Sequence, residues 1–308
     1  MSASLPRRAA SVVAAAAALS LLGTAPAAAH QGHAAEHRGH SSERHGHGHG
    51  HGHGHGHSKR IDYVNLGDSY SAAIGTGGIA ASPLGPECLQ GDGPDHVSAL
   101  DGRRRVDLLL DGACAGATTD RVQEIASLQP VRAALRRAEL VTLTLGGNDV
   151  GWIDIIRACS LQGTAAACDL AIASAPERIE AAAESAGETV AAIDAGTRGQ
   201  VVVLGYPRLF SADEQSPVIS PERAEALNDL TDDLNDALEE AVEKEDAAQF
   251  VHVADLFDGH AADSADPWIF LNPTDPRDPN NLHPNERGYL LGYYTAVISE
   301  VDLGHRGH

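Results

Sequence analysis

Two short aliphatic runs constrain the fold more than anything else in the chain. Leu140-Val-Thr-Leu-Thr-Leu145 and Gln200-Val-Val-Val-Leu204 are rich in β-formers and read as buried strands. Each stops at glycine, at Gly146-Gly147 and at Gly205. Further strands are expected at Ile61–Asn65, Val106–Leu110 and Phe250–Val253. Helices fall between them. Thr118 or Thr119 would cap one running toward Gln129, and Pro176–Asp194 carries Pro in its first turn and Gly196 after its end. Ser220-Pro221 opens a long helix to about Glu245, whose apolar stripe is Leu227, Leu230, Leu234, Leu238 and Val242. Pro284–Val301 reads as the last. Strands alternating with helices make a parallel sheet covered on both faces. The expected fold class is therefore α/β, a three-layer α/β/α sandwich over residues 59–302, followed by a short tail at 303–308. The domain has neither a dinucleotide-binding glycine signature nor a P-loop.

The regions before the domain have their own character. Residues 1–29 read as a secretory signal peptide: Arg7-Arg8, an apolar run from Ala9 to Leu22, and Ala27-Ala28-Ala29 before the cut. The run is short for a membrane span, so a secreted, extracellular chain without a stable membrane anchor is expected. Residues 30–58 form a linker of low complexity with alternating His and Gly from His45 to His57. Such imidazole density suits divalent metals, although a solvated linker has the same composition. The formal net charge of −21 argues against nucleic-acid partners and against electrostatic docking on anionic membranes. A monomer is expected.

A candidate site emerges where strands break. Ile61–Gly67 leads into Asp68-Ser69 on a tight turn, at the end of a strand where open α/β sheets bind ligands. A serine nucleophile needs a base and donors for an oxyanion. His283, in Leu-His-Pro-Asn, is the candidate base. The N–H groups of Ser69 and Gly116 and the side-chain amide of Asn148 are candidate donors. Each has a plainer reading: Ser69 as a turn residue, Gly116 as a packing position, Asn148 as a turn residue, His283 as a helix entry. Their joint occurrence in order on a parallel sheet favours a site. His96, His252 and His260 read as core or surface residues. Four cysteines allow three pairings. Cys88–Cys114 with Cys159–Cys168 is preferred because both would close loops flanking the site, and no Cys-x-x-Cys spacing suggests zinc.

Gly-Asp-Ser-Tyr at 67–70, Gly116, Gly-Gly-Asn-Asp at 146–149 and His-Pro at 283–284, with Gly-Tyr-Pro at 205–207, resemble the blocks of SGNH (GDSL-type) hydrolases over about residues 60–300. The resemblance is strongest to secreted actinobacterial lipases, esterases and phospholipases. It implies a flavodoxin-like SGNH fold, Ser69 as nucleophile, His283 as general base and acid, an oxyanion hole from Ser69 N–H, Gly116 N–H and Asn148, and no cofactor or catalytic metal. Related members link loops around the site by disulfides, in keeping with the pairing preferred above.

One position departs from the pattern. The family usually places Asp three residues before the histidine, where this chain has Asn280. A backbone carbonyl near Asn280 would then orient His283 in a Ser–His dyad. The Asn280 side-chain oxygen and Asp278 are the alternative orienters. The expected reaction is two-step hydrolysis of carboxylic esters. Lipid or fatty-acyl substrates are favoured because loops 78–104 and 255–281 carry Ile79, Leu84 and the Trp268–Leu271 cluster, although that cluster would equally pack beneath its loop. The alternatives are a carbohydrate acetylesterase of the same fold and a non-catalytic secreted protein that binds metal through its His-rich tail.

Overall fold

The computed structural model describes residues 60–213 and 216–303. The expected signal peptide at 1–29 and the His/Gly linker at 30–58 lie outside the described residues, as does the tail beyond Leu303. The first strand, β1, spans Ile61–Gly67. A hairpin of β2 (Ile79–Ser82) and β3 (Gly85–Gly91) follows, then α1 (His96–Asp101) and β4 (Val106–Asp111). Next come α2 (Thr119–Ser127), α3 (Gln129–Leu135) and β5 (Leu140–Thr144). Three short helices, α4 (Gly147–Val150), α5 (Trp152–Cys159) and α6 (Ala165–Ala173), lead to the long α7 (Ala175–Asp194). Then β6 (Gln200–Leu204), α8 (Pro221–Val242), β7 (Ala248–Val251) and a final α9 (Tyr294–Glu300) complete the fold.

The main sheet has five parallel strands in the order β4-β1-β5-β6-β7. Helices α2, α7 and α8 pack side by side, and α1 packs against α9. The result is the expected three-layer α/β/α sandwich. Every residue of β5 is buried, as are Val201–Leu204 of β6, because helices cover both faces of the central strands. The edge strand β4 is only half-buried beyond Val106.

Some polar residues on the central strands are fully buried, and each is hydrogen-bonded. Tyr63 Oη bonds Thr142 Oγ1 at 2.6 Å, and Thr142 Oγ1 donates to Asn65 Oδ1. Asn65 Nδ2 donates to Asp111 Oδ1 at 2.8 Å and to the Ser71 carbonyl at 3.0 Å. This chain of bonds crosses the sheet interior and ends beneath the turn that carries Ser69. Burial pushes the Asp111 carboxyl up to about 7, partly offset by its bonds from Asn65 and the Ala113 N–H.

Four local expectations are corrected. Residues 78–104, expected as a loop, contain the β2–β3 hairpin and α1. A two-stranded hairpin is marginal alone. Here it is held by Gly91 N–H donating to the Ala72 carbonyl, Ala115 N–H donating to the Leu89 carbonyl, and the Cys88–Cys114 disulfide. The Asp95 carboxylate caps α1, accepting from Ser98 N–H, while the Ser98 hydroxyl accepts from Asp95 N–H. The helix expected toward Gln129 divides at Leu128, whose extended backbone precedes Pro130 in the first turn of α3. The last sheet strand is Ala248–Val251 rather than Phe250–Val253. The final helix contains a π-helical stretch at Gly288–Tyr293 before α9, where Gly288 and Gly292 lie close against Phe257.

Candidate active site

The turn after β1 is tied to the end of β5 from several directions. Asp68 N–H donates to the Thr144 carbonyl at 3.0 Å. Ser71 N–H donates to Thr144 Oγ1 at 3.0 Å, and Thr144 N–H donates to Ser71 Oγ at 2.8 Å. Gly67 has φ of +114°, and a Cβ there would collide with the Thr144 backbone. Asp68 is buried. Its carboxylate accepts from Tyr70 N–H, from Thr144 Oγ1 at 2.6 Å and from Tyr206 Oη at 2.6 Å. Burial raises its pKa, and these bonds work the other way by favouring the anion. The sequence leaves Ser69 next to an acid, and the fold converts that acid into a bracket for the turn.

Ser69 Oγ lies 2.8 Å from His283 Nε2, across 214 residues of chain. The other ring nitrogen, Nδ1, is 2.9 Å from the Asn281 carbonyl oxygen. That contact fixes Nδ1 as the protonated nitrogen and Nε2 as the acceptor facing Ser69. On the side away from Ser69 the ring is therefore hydrogen-bonded to a backbone carbonyl. The two side-chain alternatives are corrected. Asn280 Oδ1 accepts from Gly75 N–H at 3.0 Å, and Asn280 Nδ2 donates to the Gly77 carbonyl at 3.2 Å and to Asp278 Oδ1 at 3.2 Å. Asp278 also accepts from Asn280 N–H and from Asn272 Nδ2. Both side chains are thus committed to holding their loop and the Ser69 loop, not to the imidazole. Burial lowers the His283 pKa to about 4, while the Asn281 and Asn280 carbonyls push it up.

Backbone conformations beside the pair are uncommon. Leu282, just before His283, has φ of +64°, and Ala73, on the Ser69 loop, has φ of +58°. The Leu282 carbonyl accepts from Tyr70 Oη at 2.6 Å, and Tyr289 Oη donates to the Ile74 carbonyl at 2.9 Å. Tyr70 lies edge-on to Tyr206, with ring centroids 5.2 Å apart.

The candidate oxyanion donors gather at the same place. Among the described residues, the N–H groups of Ser69 and Gly116 have no hydrogen-bond partner, and both residues line the cleft. Gly116 has φ of +76° with open space where a Cβ would stand. Asn148 Nδ2 donates one N–H to the Ala117 carbonyl at 2.8 Å, which leaves its second N–H free to point into the cleft. Tyr206 Oη accepts from Gly147 N–H at 3.2 Å while it donates to Asp68, so one tyrosine links the Ser69 and Asn148 turns. Asp149 accepts from Thr119 N–H and Thr119 Oγ1, fastening the start of α2 beside Gly116.

Two cavities meet at His283. The first, about 330 Å³, is walled by Ile74, Ile79, Leu89, Trp152, Ile156 and Leu209. The second, about 350 Å³, takes Phe210, Val218, Ile219, Leu271 and the prolines of the 273–279 loop. Ile153, Ile156, Leu282 and His283 border both. Of the two sequence readings of the 268–271 cluster, packing beneath the loop holds for Trp268 and Ile269, which are buried, with Trp268 stacked on His260 at 3.9 Å. Of that cluster only Leu271 lines either of these two cavities. Leu84 lines neither. The main apolar wall is α5, which sequence reasoning missed. The spacing of Trp152, Ile153 and Ile156 after Gly151 was its signal.

Both preferred cysteine pairs are in bonding position, with Cα atoms 4.9 Å apart for Cys88–Cys114 and 4.5 Å for Cys159–Cys168. His96 is buried against Tyr289, and His252 pairs with Glu239 at 3.0 Å. Neither lines the cleft. Among the described residues, no group of three or more His, Cys, Asp or Glu side chains is arranged to hold a metal ion.

The model of the GDSL-like Lipase/Acylhydrolase family matches residues 66–291, a span that includes Ser69, Gly116, Asn148 and His283. The chain belongs to this family. A lipase from Streptomyces rimosus is 34% identical to this GDSL hydrolase over 245 residues, covering 77% of this chain and 86% of that protein. The crystal structure of the extracellular lipase from Streptomyces rimosus matches it with a TM-score of 0.68 and 29% identity, over 78% of this chain and 99% of that one. The crystal structure of phospholipase A1 from Streptomyces albidoflavus NA297 matches with a TM-score of 0.69 and 25% identity, over 79% of this chain and 100% of that one. The GDSL hydrolase is a carboxylic ester hydrolase.

Proposed function

We propose that this chain is a secreted esterase of lipid or fatty-acyl esters that works through a Ser69–His283 dyad. The observation that carries the proposal is the 2.8 Å contact between Ser69 Oγ and His283 Nε2 where two apolar cavities meet. In the first step, neutral His283 takes the Ser69 proton as Oγ attacks the ester carbonyl. The developing oxyanion receives N–H donors from Ser69, Gly116 and the free Nδ2–H of Asn148. His283 then protonates the leaving alcohol. Water enters, His283 removes its proton, and the acyl–Ser69 ester is cleaved to the acid. The imidazolium formed on the way is stabilised by the Asn281 carbonyl dipole rather than by an anion.

Two large apolar cavities favour an acyl chain over an acetyl group, because a small acid would leave most of the wall hydrated. Secretion is supported by the leader-like start of the sequence and by the similarity to an extracellular lipase. The test is turnover of p-nitrophenyl esters from acetyl to palmitoyl by purified wild-type and Ser69→Ala protein. Turnover on medium or long acyl esters that vanishes in Ser69→Ala supports the proposal. A profile confined to acetyl esters would replace it with the acetylesterase reading, and turnover that survives in Ser69→Ala would remove the serine from the mechanism.

A further inference from the structure

Helix α6 is the least protected apolar element in the fold. Ala165, Ala166, Ala167, Leu170 and Ala173 are exposed, and Cys168 is its only buried residue. A surface helix ordinarily presents charge to water, but Asp169 is the only charged residue on this one. Leu170 is 72% exposed, more than any other large hydrophobic residue among those described. The helix packs on α5 and is fastened to it by Cys159–Cys168. Helix α5 in turn exposes Ile153 at 56%, and the link between the two helices exposes Leu161 at 54%.

This surface joins the catalytic cleft. Ile153 borders both cavities, and Ser160 and Gln162, on either side of Leu161, line the second. Leu89, which also lines the first cavity, is exposed as well. An apolar rim therefore runs from the mouth of the cleft out along the disulfide-tied α5–α6 lobe. The lobe differs in charge from the rest of the molecule. Between Trp152 and Ser174 the only charged residues are Asp154, Arg157 and Asp169, and Arg157 is paired with Asp154 at 2.7 Å, in a chain whose formal net charge is −21. An anionic surface would be repelled by the body of the protein and would find no basic cluster on the lobe.

We propose that the α5–α6 lobe is the surface by which the enzyme seats itself on an uncharged or zwitterionic lipid interface, with Leu161 and Leu170 entering the lipid and the cleft mouth facing it. The proposal rests on the lipid-ester reading for its choice of occupant. Continuity of the rim with the cleft is what selects lipid over other apolar partners: a substrate drawn from an interface must pass this edge. The disulfide keeps a nearly all-apolar, solvent-facing helix folded on α5 while it waits for that surface.

The test separates binding from turnover. In the full-length secreted chain, Ser69→Ala leaves vesicles intact, and its partition onto phosphatidylcholine vesicles is measured by co-sedimentation. Adding Leu161→Ser with Leu170→Ser should weaken partition by roughly tenfold or more, since both side chains lose their apolar contact area. In the enzyme with Ser69 intact, the same pair should lower turnover on emulsified long-chain esters by a similar factor while hydrolysis of dissolved p-nitrophenyl butyrate stays within about twofold. A control, Leu128→Ser with Leu291→Ser, removes exposed leucines from other surfaces and should leave partition unchanged. Vesicle binding absent in the Ser69→Ala parent, binding unaffected by the lobe pair, or equal loss in the control would each overturn the proposal. A concentration-dependent dimer abolished by the lobe pair would overturn it in favour of a second copy of the chain. Failure of the lipid-ester reading would appear separately, as lack of turnover on dissolved long-chain esters with vesicle binding intact.

Discussion

Replacing Asn280 by Ala discriminates between two ways of holding His283. Asn280 makes two bonds to the Ser69 loop, accepting from Gly75 N–H at 3.0 Å and donating to the Gly77 carbonyl at 3.2 Å. Its side chain makes none to the imidazole, whose Nδ1 partner is the Asn281 carbonyl. No side-chain substitution deletes that carbonyl. Each lost cross-loop bond is worth roughly 0.5–1.5 kcal/mol, so the pair amounts to about 1–3 kcal/mol. Even if all of it were lost from the transition state, kcat/KM would fall by roughly 5- to 150-fold, at 1.36 kcal/mol per factor of ten. The melting temperature should drop by several degrees in the same variant, because the bonds join two loops of the folded state. Loss of a side chain that itself orients a catalytic histidine costs far more, about 10⁴-fold in serine hydrolases with a triad. The assay is kcat/KM on p-nitrophenyl butyrate together with thermal unfolding. A fall near 10⁴-fold with an unchanged melting temperature would refute the backbone-carbonyl arrangement.

Asn148→Ala should lower kcat by roughly 10²- to 10³-fold with a small change in KM, because its free N–H is expected to act only on the developing oxyanion. Steady-state kinetics on the same ester check this, and an effect confined to KM would remove Asn148 from the oxyanion hole. The pH profile follows from His283, which must be neutral to accept the Ser69 proton. Burial lowers its pKa to about 4, so kcat/KM should hold through the range where an ordinary histidine protonates and fall only as pH approaches about 4. The same shift has a definite sign for stability. The folded value lies below the unfolded one, so the contribution of neutral His283 is present above about 6.5 and is lost as pH falls toward about 4. An acid limb near 6.5 in kcat/KM would show that the imidazole is hydrated in the working enzyme.

The sequence by itself determined the class of fold and where the strands of the main sheet lie along the chain. Runs such as Val201–Leu204 have no polar face, so they can be buried only in a sheet covered on both sides, and the stripe from Leu227 to Val242 can only be the inner face of a helix. It also marked Ser69, Gly116, Asn148 and His283, because each sits beside a local break that glycine or proline writes into the chain. Tertiary structure decided what those residues touch. Asn280 and the Asn281 carbonyl are neighbours in sequence, and no local rule says which of them faces His283. That follows from the positive φ of Leu282 and from Gly75 N–H claiming the Asn280 side chain. The same limit hid the bracket of Asp68, Thr144 and Tyr206, whose members are scattered along the chain and meet only when β1, β5 and β6 align. The apolar cluster at 268–271 had the composition of a cleft wall, yet packing against Phe257 and His260 drew Trp268 inward, and α5 took that place. Composition fixes how much apolar surface must leave water. Only the long-range packing of the folded chain decides which part of it stays open to a substrate.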